Sequence, residues 1–214
     1  MEFLDCKIDL SLRPLIPRVE TEFWVERVIG EIKNRKPLNY ARGKIFSELK
    51  ILDMFAGSGA IGIAVLKHIK NAHVTFIDSE NAALQQMEKS IKENKLFHYS
   101  YELKNSDVFK NIKGRFDYIF ANPPYIPTSG VGKIQDSVLN YEPHTALFGG
   151  RDGLDVIRRF LAEAKNRLKE GARIYMEFDP PQKTFIDKML KKYGYRKWQF
   201  YKDQYGKWRW LKAE

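Results

Sequence analysis

With 214 residues, 43% of them hydrophobic and 30% charged, the chain has the composition of a globular protein with one core of ordinary size, which argues against a disordered class and against a second full domain. No run reaches the ~20 apolar residues of a membrane span, since the longest, Ile51 to Leu66, is interrupted by Asp53 and by glycines; a single cysteine, Cys6, excludes an internal disulfide, and four scattered histidines offer no metal-ligand spacing. The net charge of +10 favours an anionic partner such as RNA, or a protein that itself works on RNA, and the excess is local: between Lys183 and Glu214 ten Lys or Arg face three acids.

The first residues, Met1-Glu2-Phe3-Leu4-Asp5, lack a basic stretch leading into an apolar one, so the cytoplasm is the expected compartment. Residues 7–18 alternate and are punctuated by Pro14 and Pro17, which predicts a short hairpin or extended arm. A helix should follow, because Val25, Val28, Ile29 and Ile32 recur at helical spacing behind the acidic first turn of Glu20 and Glu22. Pro37 to Phe46 reads as a loop. From Ile51 the pattern becomes strand (Ile51 to Asp53), glycine turn, helix (Gly59 to Lys70), strand (His73 to Asp78) and helix (Asn81 to Asn94). Such alternation predicts an α/β fold, an open parallel sheet with helices on both faces. Further strands are expected at Ser100 to Lys104, Phe116 to Ala121 and Arg173 to Phe178, with a helix from Leu154 to Leu168 closed by Gly171 at its C′ position. Near the end, Trp198 and Phe200, then Trp208 and Trp210, alternate with polar residues and predict a hairpin with one apolar face. Those rings could also serve as a basic, aromatic nucleic-acid platform, but period-two alternation favours packing in the core.

Two stretches carry chemistry. The segment Gly57-Ser58-Gly59-Ala60-Ile61-Gly62 is a G-x-G-x-x-G between strand and helix, with Asp78 21 residues beyond Gly57 at the end of the next strand. In that context glycines let the backbone approach a cofactor, and the acid accepts from ribose hydroxyls. A nicotinamide cofactor would bring its doubly anionic pyrophosphate close to Asp53, whereas S-adenosylmethionine brings an ammonium and a sulfonium, so charge favours the methyl donor. Asp53 could equally be a helix cap. Asp107 after the third strand is placed to meet the adenine end, unless it is simply a turn residue. The second stretch, Asn122-Pro123-Pro124-Tyr125, follows the apolar run Phe116 to Ala121. Its prolines remove two backbone donors and fix their own φ near about −65°, making a stiff turn that carries a neutral amide and an aromatic ring, suited to gripping a flat, polar, uncharged group.

Taken together, these residues resemble the class I S-adenosylmethionine-dependent methyltransferases, and within them the HemK-type glutamine methyltransferases that modify release factors. The resemblance runs from Leu15-Ile16-Pro17-Arg18-Val19-Glu20-Thr21-Glu22, similar to the family's P-R-x-x-T-E box, through the glycine loop, Asp78, Asp107 and Asn122 to Tyr125. It continues with Tyr141-Glu142-Pro143, Ala146 to Asp155, Glu177, Gln182, Asp203, Gly206 and Arg209. It implies a Rossmann-like, seven-stranded, mostly parallel sheet whose last hairpin adds an antiparallel strand. It implies methyl transfer to a protein glutamine in the GGQ motif of a release factor, with S-adenosylhomocysteine as the product of the donor. The donor is expected on Asp53, Ala56, Gly57, Ser58, Gly59, Asp78, Asp107 and Val108, with Asn122 at the junction. The substrate amide is expected on Asn122, Pro123, Pro124 and Tyr125, of which Asn122, Pro123 and Tyr125 are the catalytic set. No metal is implied.

Three departures qualify the resemblance. Where the family has D-L-G-T-G-S-G, this chain has Asp53-Met54-Phe55-Ala56-Gly57-Ser58-Gly59, so Phe55 replaces a glycine; the spelling F-A-G-S-G is nearer that of guanine-N2 ribosomal RNA methyltransferases. An RNA exocyclic amine, or a glutamine of a ribosomal protein, is therefore the alternative substrate. The bacterial enzymes carry a helical amino-terminal domain, for which residues 1–36, an arm and a helix before the catalytic unit of 37–214, leave almost no room. Docking is then expected to use the basic carboxyl end, in contact with ribosome or RNA, or an activating partner subunit. Asp179-Pro180-Pro181 mimics a D-P-P motif of RNA methyltransferases, but it follows the fifth strand and reads as a chain break before the next helix.

Overall fold

The computed structural model describes residues 1–35, 48–133 and 135–214; the loop expected over Pro37 to Phe46 and the boundary expected at 36/37 lie outside the described residues. The chain opens on a hairpin of β1 (Glu2–Phe3) and β2 (Cys6–Lys7), joined by Leu4 and Asp5, both at positive φ as a two-residue turn requires. An extended arm leads to α1 (Val19–Asn34), which buries Trp24, Val25, Val28, Ile29 and Ile32 on one face. Then come β3 (Leu49–Met54), α2 (Ala60–His68), β4 (Ala72–Asp78), α3 (Asn81–Glu93), β5 (Ser100–Asn105) and β6 (Phe116–Ala121). The second half holds α4 (Asp136–Tyr141), α5 (His144–Leu147), α6 (Asp155–Ala164), β7 (Leu168–Glu177), α7 (Lys183–Lys192), β8 (Trp198–Lys202) and β9 (Trp208–Ala213).

Seven strands form one sheet in the order β5-β4-β3-β6-β7-β9-β8, with β9 alone antiparallel to its neighbours. The expected α/β class is therefore present. All six residues of β6 are buried, as a central parallel strand covered on both faces requires. Strand order reverses between β3 and β6, which pair from Ile51↔Tyr118 to Met54↔Ala121. The loops leaving these two strands, Phe55 to Gly59 and Asn122 to Tyr125, thus leave from adjacent carboxyl ends of the sheet, where open α/β proteins bind ligands.

Three expectations need correction. The helix predicted to reach Leu168 gives way at Lys165–Arg167 to a 3-10 turn, and Leu168 already belongs to β7. Its apolar side chain continues the helical spacing only because the strand buries it too. Gly171 is not a C′ residue: it lies inside β7 at φ 69°, where the pairing jumps from Phe116↔Leu168 to Tyr118↔Arg173, a bulge that a left-handed residue accommodates. The terminal hairpin, expected to have one apolar face, has two. Tyr201 stacks on Trp210 at 4.1 Å and Trp210 on Trp24 of α1 at 6.0 Å. On the other side, Phe200 packs with Phe178, and the Trp198 indole donates to Asp187 of α7 at 2.8 Å. Helices cover the hairpin from both sides, so alternation in sequence does not mean one wet face. No helix among the described residues is long and apolar enough to cross a membrane.

The last glycine of G-x-G-x-x-G acts here by packing. A Cβ on Gly62 would stand 2.2 Å from Cε1 of Phe76, a ring with no exposure in β4. Gly62→Ala should therefore cost about 1–3 kcal/mol through overpacking, read as a lowered urea midpoint with an unchanged m-value.

Candidate active site

The loop after β3 turns sharply: Phe55, Gly57 and Gly59 all have positive φ, at 62°, 54° and 78°. Its Gly57 N–H donates to Asp78 Oδ2 at 2.8 Å, while the Glu80 N–H donates to Asp78 Oδ1 at 3.0 Å, so both loops that follow β3 and β4 are tied to one carboxylate. Burial pushes the Asp78 pKa up, against those hydrogen bonds. Asp53 lies behind the loop, 1% exposed, and its Oδ2 accepts the Gly62 N–H at 2.8 Å, which makes it a cap on the first turn of α2. Its other oxygen, Oδ1, is buried without a hydrogen-bond partner among the described residues, and burial raises the pKa to about 7.

A cleft with about 920 Å³ of empty space, counting its open mouth, runs along these carboxyl ends. Of the residues predicted from sequence, Gly57, Asp78, Asp107, Val108 and Pro124 line it. Asp53, Ser58 and Gly59 are buried, and with Ala56 they shape the loop without lining the cleft. Asp107 is exposed, and its Oδ2 accepts from Arg159 Nη2 at 2.6 Å. Phe55 also lines the cleft, its ring edge-on to Phe160 of α6 at 5.7 Å.

Sequence reasoning assigned no cleft role to the opposite wall. It consists of Leu12 to Leu15 of the arm and of Pro143, Thr145 and Ala146. Glu142, 6% exposed, joins the two: Arg18 Nη2 reaches both of its oxygens at 2.8 Å, and the Ile16 N–H donates to it at 3.4 Å. The motifs were visible as Pro17-Arg18 and Tyr141-Glu142-Pro143, but an ion pair spanning 124 residues of sequence leaves no local signal.

The turn after β6 is held from behind. Pro123 and Pro124 are buried and Asn122 is half-buried; the Asn122 side chain makes no hydrogen bond to a described residue. Ile126 N–H donates to the Leu147 carbonyl at 2.9 Å and Gly149 N–H to the Ile126 carbonyl at 3.0 Å, with Ile126 and Phe148 bridged as in a parallel sheet. This contact explains the glycines of the 146–155 segment. A Cβ on Gly149 would lie 2.4 Å from the Pro124 carbonyl oxygen, and one on Gly153, at φ 74°, 2.1 Å from that of Tyr125. Tyr125 is half-buried, and its hydroxyl turns inward to Glu177 Oε1 at 3.3 Å. Its carbonyl accepts from Gln182 Nε2 at 2.9 Å. The Asp179-Pro180-Pro181 stretch is a chain break as expected, a 3-10 turn in which the Asp179 N–H donates to Gln182 Oε1 at 3.0 Å.

Comparison with known proteins gives a consistent picture. The family described as Methyltransferase small domain matches residues 44–140. The release factor glutamine methyltransferase of Streptococcus pneumoniae is 32% identical over 206 residues, 96% of this chain and 68% of that protein. That of Clostridium botulinum is 33% identical over 99% of this chain and 72% of its own length. That of Lactococcus lactis is 36% identical over 82% and 60%. The chain thus spans between three-fifths and three-quarters of the length of these relatives. Among solved structures, a methyltransferase from Pyrococcus furiosus superposes with a TM-score of 0.66 at 18% identity, over 97% of this chain and 88% of that one. The N-terminal domain of human METTL16 in complex with SAH gives 0.64 at 17%, over 98% and 75%. Both likenesses bear on the fold alone.

Gly153→Ala should leave the cleft intact but displace the Tyr125 carbonyl, so turnover should fall at least tenfold in an initial-rate assay while the circular dichroism spectrum is retained. Asp53 gives a pH test. Its folded pKa, about 7, lies above the ordinary 3.8, so the folded state holds the extra proton and loses stability as pH rises from about 4 to about 7. Asp53→Asn keeps an acceptor for Gly62 and removes that slope: relative to wild type, its urea midpoint should be higher at pH 8 than at pH 5.

Proposed function

This chain belongs to the release factor glutamine methyltransferase family, and from that premise we propose that it methylates the side-chain amide nitrogen of a protein glutamine, the GGQ glutamine of a release factor. S-adenosylmethionine is the methyl donor, and S-adenosylhomocysteine is released. The donor site fits such a group on three counts: a loop of left-handed residues with Gly57 open to the cleft, the Asp78 carboxylate at its edge, and an orphaned buried oxygen on Asp53. Gly57, Asp78, Asp107 and Val108 hold the donor, and Ala56, Ser58 and Gly59 shape the loop beneath it. A positively charged donor draws Asp53, which burial otherwise keeps protonated up to about pH 7, toward its ionised form behind the loop. When bound, the donor supplies an electrophilic methyl carbon on a sulfonium.

The observation that carries the reading is the Asn122 side chain, unbonded at the carboxyl end of β6 beside the donor cleft, in a turn that Pro123 and Pro124 stiffen and Gly149 and Gly153 support. An amide nitrogen is a poor nucleophile because its lone pair is delocalised, so orientation must supply much of the rate. Asn122 Oδ1 and the Pro123 carbonyl accept the two N–H bonds of the target amide and aim its nitrogen, and Tyr125 flanks the amide plane. Alignment of two reactants can contribute on the order of 7–11 kcal/mol, so no strong base is required, and the proton leaves to water as or after the methyl arrives. Neutral acceptors suit an amide; an acid at position 122 would suit a cationic amine.

We read residues 1–214 as effectively one catalytic unit acting in the cytoplasm, with residues 1–36 as its arm and helix. The basic carboxyl-terminal face, or a partner subunit, contributes to docking of the release factor. On that face Trp208 is 37% exposed, with the Lys183 and Lys202 ammonium groups 4.6 and 5.2 Å from its ring, a surface that also suits a ribosome or RNA contact. A radiolabelled-methyl assay offering release factors, ribosomal proteins and unmodified ribosomal RNA side by side should label the release factor. Label confined to RNA would overturn the reading. Asn122→Ala should abolish turnover and leave donor affinity, by calorimetry, within a few fold; retained turnover would remove this residue from the mechanism.

A further inference from the structure

Tyr125 is gripped at both ends, by Gln182 on its carbonyl and by Glu177 on its hydroxyl. Glu177 is unusual. It is 1% exposed, its Oε2 accepts from Thr21 Oγ1 at 2.7 Å and from Trp24 Nε1 at 2.8 Å, and it has no ion-pair partner among the described residues. Its position is the last of β7, one residue beyond the pairing Ala121↔Met176, and so level with the start of the turn at Asn122.

The Arg209 guanidinium attracts Glu177 but is ion-paired to Asp203 at 3.2 Å. A buried carboxylate without a salt bridge of its own costs several kcal/mol even when hydrogen-bonded, and an apolar residue of similar volume would fold as well or better. Stability therefore does not account for Glu177. The donors that satisfy it, Thr21 and Trp24, sit on the first turns of α1, and Trp24 is itself locked between Phe120 and Trp210 at 6.1 and 6.0 Å. The acid thus has a rigid anchor on one oxygen and a single free valence on the other, directed at the one aromatic ring of the substrate turn.

Resting on the glutamine-methylation reading above, we propose that Glu177, anchored by Thr21 and Trp24, is a positioning residue that fixes the Tyr125 ring through its hydroxyl and so sets the orientation of the target amide. This gives Thr21 of the amino-terminal box a role in turnover although it lies outside the donor cleft. Glu177 acts only through Tyr125, which yields a signature that a general packing role lacks.

The test is a double-mutant cycle on Tyr125→Phe and Glu177→Gln, with release factor as substrate and donor affinity measured by calorimetry. Each single variant should lower kcat about 10- to 100-fold, the range expected for a misplacement of order 1 Å, with KM and donor affinity within about threefold, all on the same scale. The double variant should be no worse than the poorer single one. Losses that multiply, or a donor affinity that falls in step with kcat, would overturn the proposal. If Glu177→Gln does not fold, Thr21→Val, which removes one donor and keeps the acid, replaces it in the cycle, and Thr21→Ser should restore kcat; failure to do so counts against the proposal. A wild-type protein that leaves the release factor unlabelled defeats the functional reading itself, whereas an active wild type with unimpaired single variants defeats only this inference.

Discussion

The site depends on one pairing, that of β3 with β6. These strands are separated in sequence by a full strand-helix-strand excursion, yet they run parallel in register to Met54↔Ala121. Because strand order reverses there, the loop that turns toward the donor and the loop that would orient the acceptor leave the sheet side by side. No loop residue could compensate for a slip in that register, since a one-residue shift inverts which side chains face each layer. The burial of all six residues of β6, and of Ile51 to Met54, is what holds the register.

On this frame the two loops solve opposite problems. The loop after β3, proposed to meet the donor, needs close approach, and gets it from left-handed residues, with the Gly57 N–H tied to Asp78. The turn after β6, proposed to orient the acceptor, needs rigidity, and its prolines have no N–H to donate toward it. Its stiffness is borrowed from elsewhere: the 146–153 segment supports it from beneath through Ile126, and Gln182 and Glu177 fix Tyr125. The segments that hold the turn, 21 to 57 residues away in sequence, are thus parts of one support.

Much of this was legible from residues alone. The alternation of strand and helix, the G-x-G-x-x-G with its distal acid, and the stiff turn after an apolar strand all follow from local rules, and the element limits mostly fall within a few residues of those predicted. What was not legible is long-range. Glu142 looked like part of a motif, but only the fold shows that it binds Arg18 and joins the two segments of one cleft wall. Asp53 looked suited either to a charged ligand or to a helix cap, and the fold shows a cap on α2 with one oxygen left over, which the sequence could not apportion. Gly171 and Leu168 misled because a bulged, buried strand repeats the spacing of a helix end.

Phe55 shows how side-chain identity and backbone conformation separate. The sequence departs from a glycine-rich pattern at this position, with Phe55 in place of a glycine. The chain nevertheless keeps the left-handed conformation there, φ 62°, at a cost of roughly 1–2 kcal/mol for a residue with a Cβ. The ring offsets part of that cost by meeting Phe160 edge-on, an arrangement worth about 0.5–1.5 kcal/mol beyond its buried area. In exchange the cleft gains an aromatic wall where glycine would leave open space. The turn geometry is therefore set by the sheet and by Asp78, which bind the loop at Ala56 and Gly57, and the identity of residue 55 tunes the cavity without redirecting the chain.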